Sequence, residues 1–227
     1  MTFLTFREKL EEKSALHLDL KVNKNRRTVL RVLEKRGRWV RLSAHKMFLD
    51  APDEVIEAIS AYIRGSYRKN SPHDKVLKRY IHDQSENHDA PDQVDPRGVV
   101  LDGRVYNLAE LYDEVNNTYF GGKLSLSYTW YGEHGRNNRR QVTFGQYVGR
   151  MQLVKMHRIL DDPFFPRVFV SFVLYHEMVH SVVLPTIDVY GRTRFHGSEF
   201  REKEREFAQY EEARAWEKQN KHHFFRK

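Results

Sequence analysis

The sequence predicts an α+β protein, and three observations lead there. Residues 16–22 alternate apolar and polar side chains, the period of a half-buried strand. The stretches 53–63, 107–119 and 198–219 repeat apolar residues at helical spacing. Residues 166–184 are apolar on nearly every face of a helix, yet they contain His176-Glu177-Met178-Val179-His180.

With 227 residues and 40% hydrophobic content, the chain can bury one sizeable core or two small ones. From Gln84 to Gly98 it is rich in Ser, Asn, Asp and Pro, which marks a linker. Two domains follow: residues 1–97, a basic strand-rich and helical extension, and residues 98–227. There is no cysteine, which excludes disulfides, a thiolate nucleophile and a Cys-based zinc ribbon. Met1 to Phe6 runs straight into Arg7-Glu8-Lys9, and no apolar run reaches signal-peptide or membrane-spanning length. The expectation is a soluble, cytoplasmic protein with no membrane partner.

In the first part, Leu16, Leu18, Leu20 and Val22 alternate with polar residues, and Asn23-Lys24-Asn25 reads as a turn. Thr28 to Leu33 and Trp39 to Leu42 continue the pattern around Lys35-Arg36-Gly37, which predicts a small antiparallel sheet. From Lys21 to Lys46 there are ten Lys and Arg against one acid, Glu34, although the whole chain carries a net charge of only +8. Such a ribbon is a candidate for contacting nucleic acid through phosphates; a solvated charged face is the alternative. Asp53 to Ile63 reads as a helix that packs through Val55, Ile56, Ile59, Tyr62 and Ile63. Asp74 to His82 reads as a second, more polar helix with solvated histidines.

The second part opens with a helix from Asn107 to Tyr119, stopped by Gly121-Gly122. Leu124 to Trp130, Gln141 to Tyr147 and Met151 to His157 read as strands of a short sheet. Between the first two lies a basic loop, in which Gly135, Arg136, Arg139 and Arg140 form a solvated tip or an anion site. Pro166 suits the start of the apolar helix. Ser198 to Gln219 is expected to be one closing helix, with Phe200, Phe207, Tyr210 and Trp216 inward.

The chemistry lies in the apolar helix. Two histidines four residues apart share a face, so both imidazoles can meet one ion. Glu177, one residue after the first, can reach a water at that ion without ligating it. Burying these groups is costly unless something bonds them, and a zinc ion (Zn2+) with its supporting shell does so. A catalytic zinc takes three protein ligands and a water. The nearest downstream candidate is His196, held just before a helix start; Glu199 and Asp188 are rivals, and His222 and His223 lie near a charged terminus. Tyr190, Arg192 and Arg194 are candidate donors to a developing oxyanion, whereas His157 reads as structural.

An ordered set of motifs then resembles a known family. Asn107-Leu108-Ala109-Glu110-Leu111-Tyr112, Asn116, Tyr119-Phe120-Gly121-Gly122-Lys123-Leu124, a strand ending at Trp130, His176-Glu177-Met178-Val179-His180 and His196-Gly197-Ser198-Glu199-Phe200 look like the SprT-like domain of Spartan-type zinc metalloproteases. The resemblance covers about residues 98–219. It implies a small zincin-like fold of helix, short sheet, metal helix and closing helix. It also implies His176, His180 and His196 as zinc ligands and Glu177 as the catalytic glutamate. Spartan-like members cleave proteins crosslinked to DNA, and many SprT-like proteins carry a Cys-based zinc module that this chain lacks. The expected function is zinc-dependent peptide-bond hydrolysis, with DNA-associated proteins as candidate substrates. Its alternatives are a non-proteolytic, zinc-bearing nucleic-acid-binding module and a zinc hydrolase of small peptides.

Overall fold

The computed structural model describes residues 2–25, 28–85, 100–134, 143–187 and 193–224. Over these residues the chain is α+β, with seven helices and two three-stranded sheets. Its contacts divide it into two units: Met1–Ser85 with Leu184–Gly197, and Glu86–Val183 with Ser198–Lys227. The linker expected from Gln84 to Gly98 falls, from residue 86 onward, outside the described residues, as do the tip residues Gly135, Arg136, Arg139 and Arg140. No helix among the described residues is long and apolar enough to cross a membrane.

The first unit begins with a helix the pattern did not announce, α1 (Phe3–Ser14). The Thr2 hydroxyl caps it by accepting the Thr5 N–H at 3.2 Å, and Phe6, Leu10 and Ser14, four residues apart, bury one narrow stripe. Strands β1 (His17–Asn23), β2 (Leu30–Arg36) and β3 (Trp39–His45) follow. The sheet is mixed, which corrects the antiparallel expectation: its order is β1-β3-β2, with β1 parallel to β3 and β2 antiparallel to it. The reason lies in burial. Val40, Leu42, Ala44 and His45 make β3 the most buried strand, so it takes the centre, and the charged β1 and β2 form the edges.

Helices α2 (Asp53–Arg64) and α3 (Pro72–Ser85) follow in this unit, around a core of Ile56, Ile59, Leu77 and Ile81. Much of the basic ribbon is engaged locally. Lys35 Nζ donates to the carbonyls of Ile63 and Arg64 at 3.0 and 3.2 Å, where α2 ends and its dipole favours a cation. Arg38 donates to the Ala15 carbonyl just past α1, at 3.1 Å. Arg41 pairs with Asp19 at 2.7 Å, and Arg36 with Glu34 at 2.6 Å. Lys21, Lys24, Arg31 and Lys46 are exposed, whereas Arg26 and Arg27 lie outside the described residues. On α3, His82 is buried, against the expectation of a solvated ring; it lies 6.4 Å from the Phe195 ring. Asp74, also buried on α3, collects the Tyr67 hydroxyl, the Asn70 N–H and Lys78 Nζ at 2.5, 2.7 and 2.7 Å. A buried carboxylate is tolerated when its lone pairs are filled in this way.

In the second unit, α4 (Leu108–Phe120) starts at Asn107, whose side chain accepts the N–H groups of Ala109 and Glu110. It ends where Gly121 and Gly122 both take positive φ, 62° and 69°, a backbone that glycine adopts freely. The turn aims Leu124 back at the helix. Asn116 Nδ2 donates to the Leu124 carbonyl at 2.9 Å, the Leu124 N–H returns to Asn116 Oδ1 at 3.2 Å, and the Tyr112 hydroxyl bridges Leu124 and Leu126. Tyr112 and Asn116 thus clamp the helix to the segment that leads into the next strand.

Strands β4 (Ser127–Tyr131), β5 (Gly145–Val148) and β6 (Leu153–His157) form the second sheet in the order β4-β6-β5, with β4 parallel and β5 antiparallel to β6. Asp161 anchors the segment that leads into α4. It is 2% exposed and accepts the N–H groups of Arg104, Val105 and Tyr106 at 2.6, 2.8 and 3.0 Å, with His134 Nε2 at 3.1 Å. Burial raises its pKa, but the backbone donors and His134 together hold it below the ordinary carboxylate value. Because the folded pKa is the lower one, this contribution is complete above the unfolded value of about 3.9 and disappears as pH falls through the folded value. Asp161→Ala is expected to cost about 2–4 kcal/mol, measured as a lower urea midpoint at pH 7. The gap between the variant and the parent should close in acid.

Helix α5 (Arg167–Val182) runs against α4 and the second sheet, with Phe169, Val170, Leu174, Tyr175 and Met178 buried. The closing segment is two helices rather than one: α6 (Ser198–Glu204) and α7 (Tyr210–Phe224). No Gly or Pro marks the break. It is made by packing, because Phe207 turns in against Tyr119, Phe172 and Tyr175, the Tyr119 hydroxyl accepts the Ala208 N–H, and the Tyr175 hydroxyl donates to the Lys203 carbonyl.

Candidate metal centre

Helix α5 carries His176, Glu177 and His180 on its last two turns. The two imidazole centroids are 5.2 Å apart, and the Phe200 ring of α6 lies 5.0 Å from the first and 4.5 Å from the second. Phe200 is itself buried, so both imidazoles rest on a fixed aromatic surface. One ring nitrogen from each of His176, His180 and His196 lies within 4.8 Å of the others. A single ion, with bonds to nitrogen of about 2.0–2.1 Å, can draw such a set together. These three histidines can therefore hold a metal ion.

The proton arrangement fits that role. His176 Nδ1 stands 2.7 Å from Glu204 Oε1, and an ionised carboxylate only accepts, so Nδ1 carries the proton and Nε2 keeps its lone pair. Burial works against a charged His176 ring, but the hydrogen bond to Glu204 and the nearby Glu177 carboxylate outweigh it and raise its pKa above the usual imidazole value. Protons therefore compete with a metal here at higher pH than at an ordinary histidine. Glu204 was not singled out in the sequence. The general habit of ligating histidines to lean on a carboxylate was a signal, but α6 and its flanks offer Glu199, Glu202, Glu204 and Glu206 alike.

Glu177 is buried, and its carboxylate lies outside the histidine cluster. It rests on β5. A Cβ at Gly145 would stand 2.6 Å from its Cγ and 2.7 Å from its Oε1, so only glycine leaves it room. Burial raises its pKa, while His176 and the Tyr147 backbone N–H, which donates to it, oppose the rise. Burial thus makes this carboxylate hold a proton more readily than an exposed one would.

The other candidates separate clearly. Glu199 is exposed on α6 and is not part of the cluster, whereas Asp188, Tyr190 and Arg192 lie outside the described residues, as do the side chains of His222 and His223. Arg194 is exposed on a short ribbon of β7 (Thr186–Ile187) and β8 (Thr193–Arg194). His157 is structural, because its Nδ1 accepts the Ile159 N–H at 3.0 Å and burial lowers its pKa.

The donor set can thus do two things at once, binding a borderline-soft cation through imidazoles and placing a carboxylate beside it. Comparison of the chain with models of known protein families, with characterised proteins and with solved structures finds no match.

Proposed function

We propose that the chain is a zinc-dependent metallopeptidase of zincin-like build, with His176, His180 and His196 holding the ion and Glu177 as general base. The single observation that carries this reading is the meeting of three imidazoles next to a buried, non-ligating glutamate. The motif order that resembles the SprT-like domain supports it. Three neutral imidazoles suit zinc, which when bound supplies a Lewis acid that lowers the pKa of a water and polarises a scissile carbonyl. Glu177 takes the proton of the attacking water and returns it to the leaving amine. The Tyr147 N–H and the bare Gly145 backbone hold that carboxylate in place. Glu204 keeps the His176 proton on Nδ1.

The sheet favours a polypeptide substrate. Among the described residues β5 is an edge strand, and it is the strand against which Glu177 rests. An extended peptide can add to such an edge by main-chain hydrogen bonds. The exposed Lys21, Lys24, Arg31 and Lys46 support a further part of the proposal, that substrates are held near nucleic acid.

Metal removal tests this reading. The purified chain is expected to carry about one zinc. It should cut an unstructured protein, lose cleavage after chelation and regain it with zinc. Cleavage that survives chelation would overturn the zinc-dependent mechanism, and a zinc-loaded chain that cuts nothing would leave the non-proteolytic module as the better reading. If DNA at low salt leaves cleavage of a DNA-bound protein unchanged, the nucleic-acid part fails on its own.

A further inference from the structure

A serine inside a helix can return its hydroxyl to a carbonyl one turn back, and two here do so: Ser60 donates to Ile56 at 2.9 Å and Ser181 to Met178 at 2.7 Å. Ser171, in the first half of α5, is different. It is only 8% exposed, yet its hydroxyl makes no hydrogen bond to any described residue. Leaving a buried polar group without a partner is costly, so the hydroxyl calls for one from outside the chain. It has space for one. Ser171 lines a cavity of about 250 Å³ bordered by α4, the start of α5 and the turn between α6 and α7. The apolar walls are Val115, Val168, Phe207 and the Tyr119 ring. Two charged residues of the lining, Glu114 and Arg167, stand exposed at its mouth, where water serves them.

An apolar cavity of about 150 Å³ accommodates a benzene ring, so this one has room for a ring with a substituent. Aromatic walls favour an aromatic guest. The buried lining offers a free hydroxyl and no charge, so a charged guest would lose its hydration without gaining a partner. The same walls lead toward the histidines. The Tyr119 ring lies 5.2 Å from that of Phe207 and 4.8 Å from that of Tyr175, and its hydroxyl accepts the Ala208 N–H at 3.2 Å. The Tyr175 hydroxyl donates to the carbonyl of Lys203, the residue before Glu204, and Glu204 Oε1 accepts from His176 Nδ1 at 2.7 Å. We propose that this cavity is a regulatory site for a small uncharged aromatic molecule of the phenol type, whose hydroxyl bonds that of Ser171. A guest against Tyr119 and Phe207 fixes the turn after α6 and, with it, the carboxylate that orients His176, so guest and metal strengthen each other. Binding of the guest stands on the cavity alone, whereas its regulatory effect rests on the metal-centre reading above.

Nuclear magnetic resonance can follow the Val115 and Val168 methyl signals of the full chain as phenol or toluene is added. Phenol is expected to shift both signals saturably and to bind about fivefold tighter than toluene, the scale of one hydrogen bond. Ser171→Ala should abolish that preference and leave toluene affinity unchanged. Thr118→Trp, at an exposed position of α4 in the lining, closes the mouth without disturbing the core and should remove binding of both probes. Zinc affinity is then measured against a chromophoric chelator with saturating phenol and without it. Phenol should tighten zinc binding by about fivefold, and zinc should tighten phenol binding by the same factor.

No saturable shift in the parent, or unchanged phenol binding in Thr118→Trp, overturns the site and leaves a cavity for water alone. Equal binding of phenol and toluene by the parent, or a preference that survives in Ser171→Ala, overturns the role of the hydroxyl and the phenol class with it. Zinc affinity that stays the same at saturating phenol overturns the regulation and leaves the binding site standing. None of these measurements reads cleavage, so their failure is distinct from failure of the peptidase reading.

Discussion

Glu177→Gln is expected to lower peptide-bond cleavage by about 10²–10⁴-fold while zinc content stays at the parental level. The substitution keeps the shape of the side chain and its hydrogen bond from the Tyr147 N–H, but it removes the group that can accept a proton. Because Glu177 is buried with its pKa raised by that burial, an uncharged amide is tolerated well, and thermal stability should be equal or slightly higher. Activity and stability thus move apart, which is the signature of a group kept for chemistry. Cleavage by the variant within twofold of the parent would remove Glu177 from the mechanism, and loss of zinc in parallel would make it a ligand instead.

His196→Ala is expected to cost the most in metal affinity. Of the three imidazoles it is the exposed one, so its removal leaves the core of α5 and α6 intact and the measured change belongs to coordination. Zinc affinity, read by competition with a chromophoric chelator, should fall by well over the roughly 10–100-fold typical of changes to supporting groups. Glu204→Gln supplies that comparison. It keeps a partner at His176 Nδ1 but removes its charge, and it should weaken zinc binding by about tenfold with His196 untouched. If His196→Ala were no worse than Glu204→Gln, the third ligand would have to be sought elsewhere.

Much of the centre was legible because the spacing is covalent. Two histidines four apart on one helix must share a face whatever the rest of the chain does, and an apolar helix around them signals burial. The stripe from Val55 to Ile63 and the stop at Gly121 were legible for the same reason: period and backbone freedom are local properties. What escaped depends on distant partners. Helix α1 has a stripe only three residues wide, Phe6, Leu10 and Ser14, inside a run of charges. The order β1-β3-β2 follows from which strand buries most, a comparison across the whole unit. The helix break after Glu204 is written at Tyr119 and Tyr175, on other helices. His82 looked solvated on a polar helix, yet it lies on the buried side.

The seven-residue helix α6 gathers several roles into one short piece of chain. Gly197 alone separates it from His196; its Phe200 supports the rings of His176 and His180, and its last residue, Glu204, accepts the hydrogen bond from His176 Nδ1. The far end of α6 is seated by Phe207 among Tyr119, Phe172 and Tyr175. On the proposed function, the hold on an ion would thus depend on an aromatic socket built from residues that are not themselves proposed ligands.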